Sequence, residues 1–312
     1  MAKKLKILIT GSSGTIGTPL FEKLLEKNYN IIGFDKNPNI WSKKIDKLTI
    51  IGNLLNKDDI KKIPTNIDII IHLASNVRVY DSVLNPDLAL ENIIITYNIL
   101  EFVRKNKIKK FIFSSTREVY GNKKNNMSKE NDINIKLCES PYAASKISNE
   151  ALIHAYNKCY NINYIIFRFS NIYGKYDISD RFIPVLIKKL KNNENVKIYG
   201  KNKLLDFTYV DDCIDGLIRG IKKFSQIKNN TFNIATGKGS KLIDIAKLIR
   251  QSLRSKSKII IKLSRPGEVV QCIIDISKAK KSLEYQPKYS IQEGIKASIA
   301  WYSKKNKIKN RK

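Results

Sequence analysis

Cysteine is scarce in this chain and never clustered: the 312 residues include four, Cys138, Cys159, Cys213 and Cys272, with no C-x-x-C pair among them. That spacing argues against both a zinc site and a disulfide framework, so reduced structural thiols and no metal are expected. Long apolar runs are missing as well. No stretch approaches the roughly 18 to 20 residues needed to cross a bilayer, and Met-Ala-Lys-Lys leads directly into a first strand with no signal peptide. A cytoplasmic protein without membrane contact is therefore expected. Internal repeats and low-complexity linkers are absent. Acidic residues are outnumbered, 28 against 58 basic, which leaves a formal charge of +30. Such a balance raises nucleic acid as a partner. Against it, the lysines are scattered among asparagines and isoleucines, and no basic stretch is interleaved with stacking aromatics. The densest run, Lys304–Lys312, reads as a frayed, solvated end. No specific nucleic-acid partner is expected, although a basic surface favours anionic ligands.

What is present begins with alternation. Apolar strand-like runs at Leu5–Thr10, Asn30–Asp35, Leu48–Gly52, Asp68–Ala74, Lys109–Ser115 and Asn163–Phe169 alternate with amphipathic stretches near Ile16–Lys27, Leu88–Asn106 and Tyr142–Tyr160. This predicts an α/β fold built on a doubly wound parallel sheet over residues 1–172. Beyond Gly174 the elements shorten: helix Phe182–Lys191, strand Val196–Tyr199, helix Lys241–Arg250 and a last helix near Ile291–Trp301. A smaller α/β part over 173–312, with some segments returning to the first, is expected to cap a substrate.

The first strand runs into Gly11-Ser-Ser-Gly14-Thr-Ile-Gly17 and then a helix. Backbone N–H groups at such a helix start form a ready anion site, and glycines let a pyrophosphate approach where a Cβ would hold it away. The second strand ends in Asp35, the acid expected about 20 residues on to accept both adenosine ribose hydroxyls. An aspartate there repels a 2′-phosphate, which favours NAD over NADP. Further along, Tyr142-Ala-Ala-Ser-Lys146 puts a phenol and an ammonium on one helix face. A lysine cation, together with a positive nicotinamide, would favour phenolate in a tyrosine whose ordinary pKa is near 10. The preceding strand ends in Ser114-Ser115-Thr116, a source of the hydroxyl that would share a substrate proton with Tyr142.

With these elements in order, the chain resembles the extended short-chain dehydrogenase/reductase superfamily, and within it the NAD-dependent sugar-nucleotide epimerases and dehydratases. The resemblance covers nearly the whole length. It rests on Gly11–Gly17, Asp35, His72-Leu-Ala-Ser75, Asn92, Ser114–Thr116, Tyr142 and Lys146. It continues through Arg168-Phe-Ser-Asn171-Ile-Tyr-Gly174, Asp206-Phe-Thr-Tyr-Val-Asp-Asp212, Arg265-Pro-Gly-Glu268 and Asp275-Ile-Ser-Lys278.

The resemblance implies a Rossmann-type fold and bound NAD, held by Gly11, Gly14, Thr15, Ile16, Gly17, Asp35, Asn53, Leu54, Leu73, Ala74, Ser75, Asn92 and Ser114 together with Tyr142 and Lys146. Tyr142 would take the proton of a sugar 4-hydroxyl while hydride passes to NAD, Thr116 would bond the same oxygen, and Lys146 would tune the tyrosine and bind ribose. The ketone would then turn over and take the hydride back on its other face, giving epimerisation without net redox change. Asn171 and Arg265 would bind the nucleotide's diphosphate and Glu268 its ribose, with Lys197 and Tyr199 near the base. His72 reads as a packing residue.

Two departures from the family pattern matter. The position usually held by a phosphate-gripping arginine is Leu205, with Lys203 or Arg181 as possible substitutes. In 4,6-dehydratases the trio at 116–118 resembles Thr-Asp-Glu, and Arg117 cannot serve as that acid, which disfavours dehydration. Glu118 keeps a decarboxylase of nucleotide-linked glucuronate open and is equally compatible with a structural role. The expected activity is that of a nucleotide-sugar epimerase, namely a UDP-hexose 4-epimerase, with a dehydratase or decarboxylase as the alternative and a non-catalytic NAD- or RNA-binding protein as a different class. Apolar residues beyond one stripe on two helices, including Ile94, Leu100, Ile153 and Tyr156, together with the family habit of pairing these helices, predict a homodimer.

Overall fold

A computed structural model describes residues 5–123 and 127–309. The opening Met-Ala-Lys-Lys and the last residues of the basic tail, 310–312, lie outside this range. Six strands follow the expected alternation: β1 (Lys6–Thr10), β2 (Asn30–Asp35), β3 (Thr49–Ile51), β4 (Ile69–His72), β5 (Lys110–Thr116) and β6 (Asn163–Phe169). Seven more are shorter or later: β7 (Asn171–Tyr173), β8 (Val196–Tyr199), β9 (Leu204–Tyr209), β10 (Asn230–Ile234), β11 (Gly239–Lys241), β12 (Ile259–Lys262) and β13 (Gln271–Cys272).

The main sheet is parallel throughout, in the order β10-β6-β5-β4-β1-β2-β3. Its inner strands are isoleucine-rich because both faces are covered, as parallel sheets require. Ile7 and Ile9 enter one core while Leu8 between them enters the other. The chain reverses direction across the sheet between β1 and β4, so the carboxyl ends of these strands open a crevice. Gly11, Asp35, Leu73, Thr116 and Ser170 all sit at or just past those ends.

The later residues form a small sheet, β11-β9-β13 with β7 on β9, and a β8–β12 pair. β9 has no counterpart among the sequence expectations. Its Asp206 and Thr208 are fully buried, Asp206 accepting bonds from Thr236 and Gly237 and Thr208 meeting Ser170, so a strand that reads as half polar lies inside. The last helix, Ile291–Lys309, runs past the expected end at Trp301 into the stretch read as a frayed tail.

Helices Asp87–Lys105 and Pro141–Tyr160 pack against each other on one face of the sheet. Of the four residues expected to mark a dimer face, Leu100, Ile153 and Tyr156 are only 0%, 1% and 9% exposed and belong to the chain's own core. The stripe that remains open on Asp87–Lys105 is Leu90, Ile94 and Tyr97, exposed by 55%, 38% and 45%. These positions recur at one-turn spacing on one helix face. No helix among the described residues is long and apolar enough to cross a membrane.

Candidate active site

The loop after β1 separates the roles of its three glycines. Gly11 has φ +71°, and a Cβ there would lie 2.7 Å from the backbone nitrogen of Ala74 at the end of β4. At Gly17 a Cβ would come within 2.1 Å of the Gly11 carbonyl oxygen. Both are therefore required by the protein's own backbone packing. Gly14 differs, since its Cβ would meet only that same carbonyl, at 3.3 Å, and otherwise face the cleft. Helix Gly17–Glu26 begins without a side-chain cap at Ile16, so no side chain competes for its first N–H groups. At the tip of β2, Asp35 accepts from the N–H of Ser13 on one oxygen and of Asn37 on the other, each at 2.9 Å. Burial pushes its carboxyl up from the ordinary range, against the pull of these donors. Both oxygens keep lone pairs free to accept further donors.

The remaining cofactor-end residues surround the same cleft, of about 1010 Å³. Asn53 closes its own turn by accepting from the N–H of Leu55, and Leu54 is tied by its carbonyl to Asn98. Thr15, Ile16, Leu73, Ala74, Ser75 and Ser114 also line the space. Asn92 does not. It is 1% exposed, its Oδ1 accepts from Ser75 Oγ and the Asn76 N–H, and its Nδ2 donates to the Asn76 carbonyl. Its amide shapes the 75–76 loop that borders the cleft. A loop of three glycines, an uncapped helix start and a carboxylate at the second strand's tip together fit a dinucleotide.

At the centre, Ser140 caps helix Pro141–Tyr160 through the Ala143 N–H, with Pro141 at the first position, and so fixes Tyr142 in the opening turn. Tyr142 is buried, and the Thr116 side chain at the end of β5 lies beside its phenol. One turn on, Lys146 donates to the Ser114 carbonyl at 3.0 Å and lies 4.8 Å from the Phe113 ring and 5.9 Å from that of Tyr142. Burial lowers Lys146 to about 7, with Glu150 opposing. The phenol moves the other way: burial pushes it well up, the Glu118 charge adds to this, and Thr116, Arg181 and Arg117 pull only partly back. In the protein alone, burial outweighs these pulls and the phenol lies above its ordinary range.

A set of charges also lines the cleft. Arg117 and Glu118, adjacent in sequence, form an ion pair at 2.7 Å, both buried. Glu118 Oε2 and Arg117 Nη1 are enclosed without a hydrogen-bond partner. Arg117 also donates to Asn171 Oδ1 at 3.3 Å, while Asn171 Nδ2 donates to the Asp206 carbonyl at 2.7 Å, so the Asn171 amide is oriented from both sides. Burial raises the Glu118 carboxyl, with Glu268 adding and Arg117 and Lys203 opposing. Lys203 pairs with Glu268. The Arg265 guanidinium is stacked between Tyr199, 3.9 Å from the ring centre, and Tyr80, at 4.7 Å. Lys197 lies on the same side of β8 as Tyr199 and is exposed, both lining the cleft. Arg181 pairs with Asp177 at 2.7 Å and reaches Thr15 in the glycine loop at 3.4 Å, which puts it at the cofactor end. Tyr80 escaped the sequence reading because it lies on a short helix, Val79–Leu84, with no local pattern marking it.

The family model for the NAD dependent epimerase/dehydratase family matches residues 7–235. The chain belongs to that family. A relative named putative UDP-glucose 4-epimerase, from Methanocaldococcus jannaschii, is 33% identical over 312 residues, covering 96% of this chain and 99% of its own. A crystal structure of UDP-glucose 4-epimerase with UDP-glucose, from Thermotoga maritima, superposes with a TM-score of 0.87 at 29% identity, over 97% of this chain and all of that one. UDP-glucuronic acid 4-epimerase from Bacillus cereus, in complex with UDP-glucuronic acid and NAD, gives 0.89 at 31%, over 96% and 99%.

Within this family member His72 is a packing residue. Thr96 spends its own proton on the Asn92 carbonyl, so it accepts from His72 Nε2, leaving Nδ1 to accept from Thr10 at 2.7 Å. Full burial drives the imidazole down to about 3, with Lys146 contributing, and the ring stays neutral. Among the described residues no cluster of three or more His, Cys, Asp or Glu side chains is arranged to hold a metal, and the four cysteines are free thiols.

Proposed function

We propose that this protein is an NAD-dependent nucleotide-sugar 4-epimerase acting on a UDP-hexose through a transient 4-keto sugar. The observation that carries this is the state of residues 116–118. Thr116 sits beside Tyr142, whereas Arg117 and Glu118 neutralise each other in a buried pair. A dehydratase needs a free acid and a free base there; a 4-epimerase needs neither. The names of the relatives favour a UDP-linked sugar.

When bound, NAD supplies a two-electron acceptor and donor at the sugar carbon and, oxidised, a positive charge near Tyr142. The other steps belong to the chain. Gly11, Gly14 and Gly17 with Thr15 and Ile16 hold the pyrophosphate, and Asp35 holds the adenosine ribose. Tyr142, once ionised, takes the 4-hydroxyl proton and later returns it to the same oxygen, with Thr116 keeping that oxygen in line. Lys146, poised near neutrality, supplies the cation that follows this proton and a donor for the nicotinamide ribose. Asn171 and Arg265 hold the nucleotide's diphosphate, with Glu268, Lys197 and Tyr199 toward its ribose and base. Residues 1–172 supply the cofactor half and 173–312 most of the substrate half.

Incubation with UDP-glucose, UDP-N-acetylglucosamine and UDP-glucuronate, read by mass spectrometry and chromatography, is expected to give an isomer of unchanged mass from at least one. A product lighter by water or carbon dioxide would overturn the assignment in favour of a lyase.

The protein works in the cytoplasm as a homodimer, with Leu90, Ile94 and Tyr97 of one protomer facing the same helix of the other. An exposed apolar stripe of three large side chains supports this reading. Ile94→Glu is expected to shift the chain to monomer in sedimentation velocity, since it buries an unpaired charge at the contact. An unchanged sedimentation coefficient would rule the stripe out as the contact.

A further inference from the structure

Position 205 is a leucine where the family pattern has a phosphate-gripping arginine, and its side chain is buried against the cleft. Side chains two apart on a strand share a face. Lys203, Leu205 and Phe207 accordingly all line the cleft, whereas Asp206 between them turns away to Thr236 and Gly237. Lys203 therefore offers its cation to the side from which a residue-205 arginine would act, displaced by two positions.

The lysine is built into place. Its N–H bonds the Gly200 carbonyl and its own carbonyl accepts from Leu242, so the backbone is held from both directions. Gly200 has φ +88°, and a Cβ there would lie 2.9 Å from both Cγ and Cε of Lys203; the lysine stem rests where that side chain would be. Lys203 is 4% exposed, and its ammonium pairs with Glu268, which itself lines the cleft. Its charge and that of Glu268 are both felt by Glu118, next to Thr116, and the Arg265 backbone N–H reaches the same Glu268 oxygen at 3.4 Å. Through Glu268 the ammonium is thus joined to the Arg265 backbone, and all three residues line the cleft that a nucleotide sugar would occupy.

Two other cations that line the cleft are committed elsewhere. Arg181 is paired with Asp177 and points at Thr15. Arg117 is shared between Glu118 and Asn171, with its remaining Nη1 enclosed.

We propose that Lys203 provides the diphosphate contact that Leu205 cannot, and that Glu268 holds the ammonium charged and in position until a nucleoside diphosphate takes it over. This rests on the nucleotide-sugar reading above. The test is calorimetric titration of UDP into the full-length chain, its Lys203→Gln variant and the double variant Lys203→Gln/Leu205→Arg, with NAD affinity measured on each. Lys203→Gln is expected to weaken UDP about 10- to 100-fold, the size of one charge-assisted contact, while NAD affinity is unchanged. Restoring an arginine at 205 is expected to recover most of the loss, which a merely structural Lys203–Glu268 pair would not allow. Undiminished UDP binding by Lys203→Gln overturns the inference, as does a loss that Leu205→Arg leaves unrepaired. Failure of the unaltered chain to bind UDP would instead strike at the UDP-sugar reading, and this inference would fall with it.

Discussion

Tyr142→Phe is expected to lower turnover about 100- to 10,000-fold, the usual worth of a positioned acid–base group. The substitution keeps the ring that is packed at 6% exposure in the first turn of helix Pro141–Tyr160 and removes only the phenolic oxygen beside Thr116. NAD and UDP affinities should therefore stay near those of the unaltered chain, separating loss of chemistry from loss of binding. Single-turnover conversion of a UDP-hexose, with both affinities measured alongside, reads this out. Turnover within about tenfold of the unaltered rate would mean that another group moves the proton. Because burial and Glu118 raise the phenol in the protein alone, its ionisation has to be brought about by what binds. Turnover and the Tyr142 titration are accordingly expected to depend on a filled cofactor site.

The glycine loop gives the second large effect, and it divides by position. Gly17→Ala forces a Cβ to within 2.1 Å of the Gly11 carbonyl, a backbone atom that cannot rotate away. A loss of about 1–3 kcal/mol or more in folding stability is expected, visible as a lower melting temperature whether or not NAD is present. Gly14→Ala meets a single atom at 3.3 Å and is expected to melt close to the unaltered chain. Its defect should appear only on adding NAD: the rise in melting temperature that a tight ligand produces should be lost, because the new methyl stands in the cleft. A full NAD-induced rise in Gly14→Ala would show that the cleft face of the loop is not where the pyrophosphate lies.

Much of this architecture is legible in the residues, and for a physical reason. Strands buried on both faces read as isoleucine runs, so β1, β2, β4, β5 and β6 fall within a residue or two of where the pattern puts them. Helix Pro141–Tyr160 carries its own start signal in Ser140 and Pro141 and ends on Asn161 in the left-handed region. The unread parts depend on partners distant in sequence. β9 looks half polar because Asp206 and Thr208 find their bonds at Thr236, Gly237 and Ser170. Leu100 and Ile153 look like surface apolar residues on a helical wheel, yet the contact between their two helices and the sheet consumes them. The need for glycine at position 11 was visible, but its cause, the backbone of Ala74, lies in the loop after β4. Asn92 and the Arg117–Glu118 pair are alike in this respect: residue type marks them as belonging near the site, and only geometry says that each is already spoken for.

β10 is contributed by residues 230–234 but zips alongside β6, residue by residue from Asn230 opposite Ile165 to Ile234 opposite Phe169. A fragment ending at 172 would leave that flank of β6 as a raw edge, its carbonyls and amides open to any passing strand. The part of the molecule made first during synthesis therefore has to wait, sticky-sided, for a segment made later.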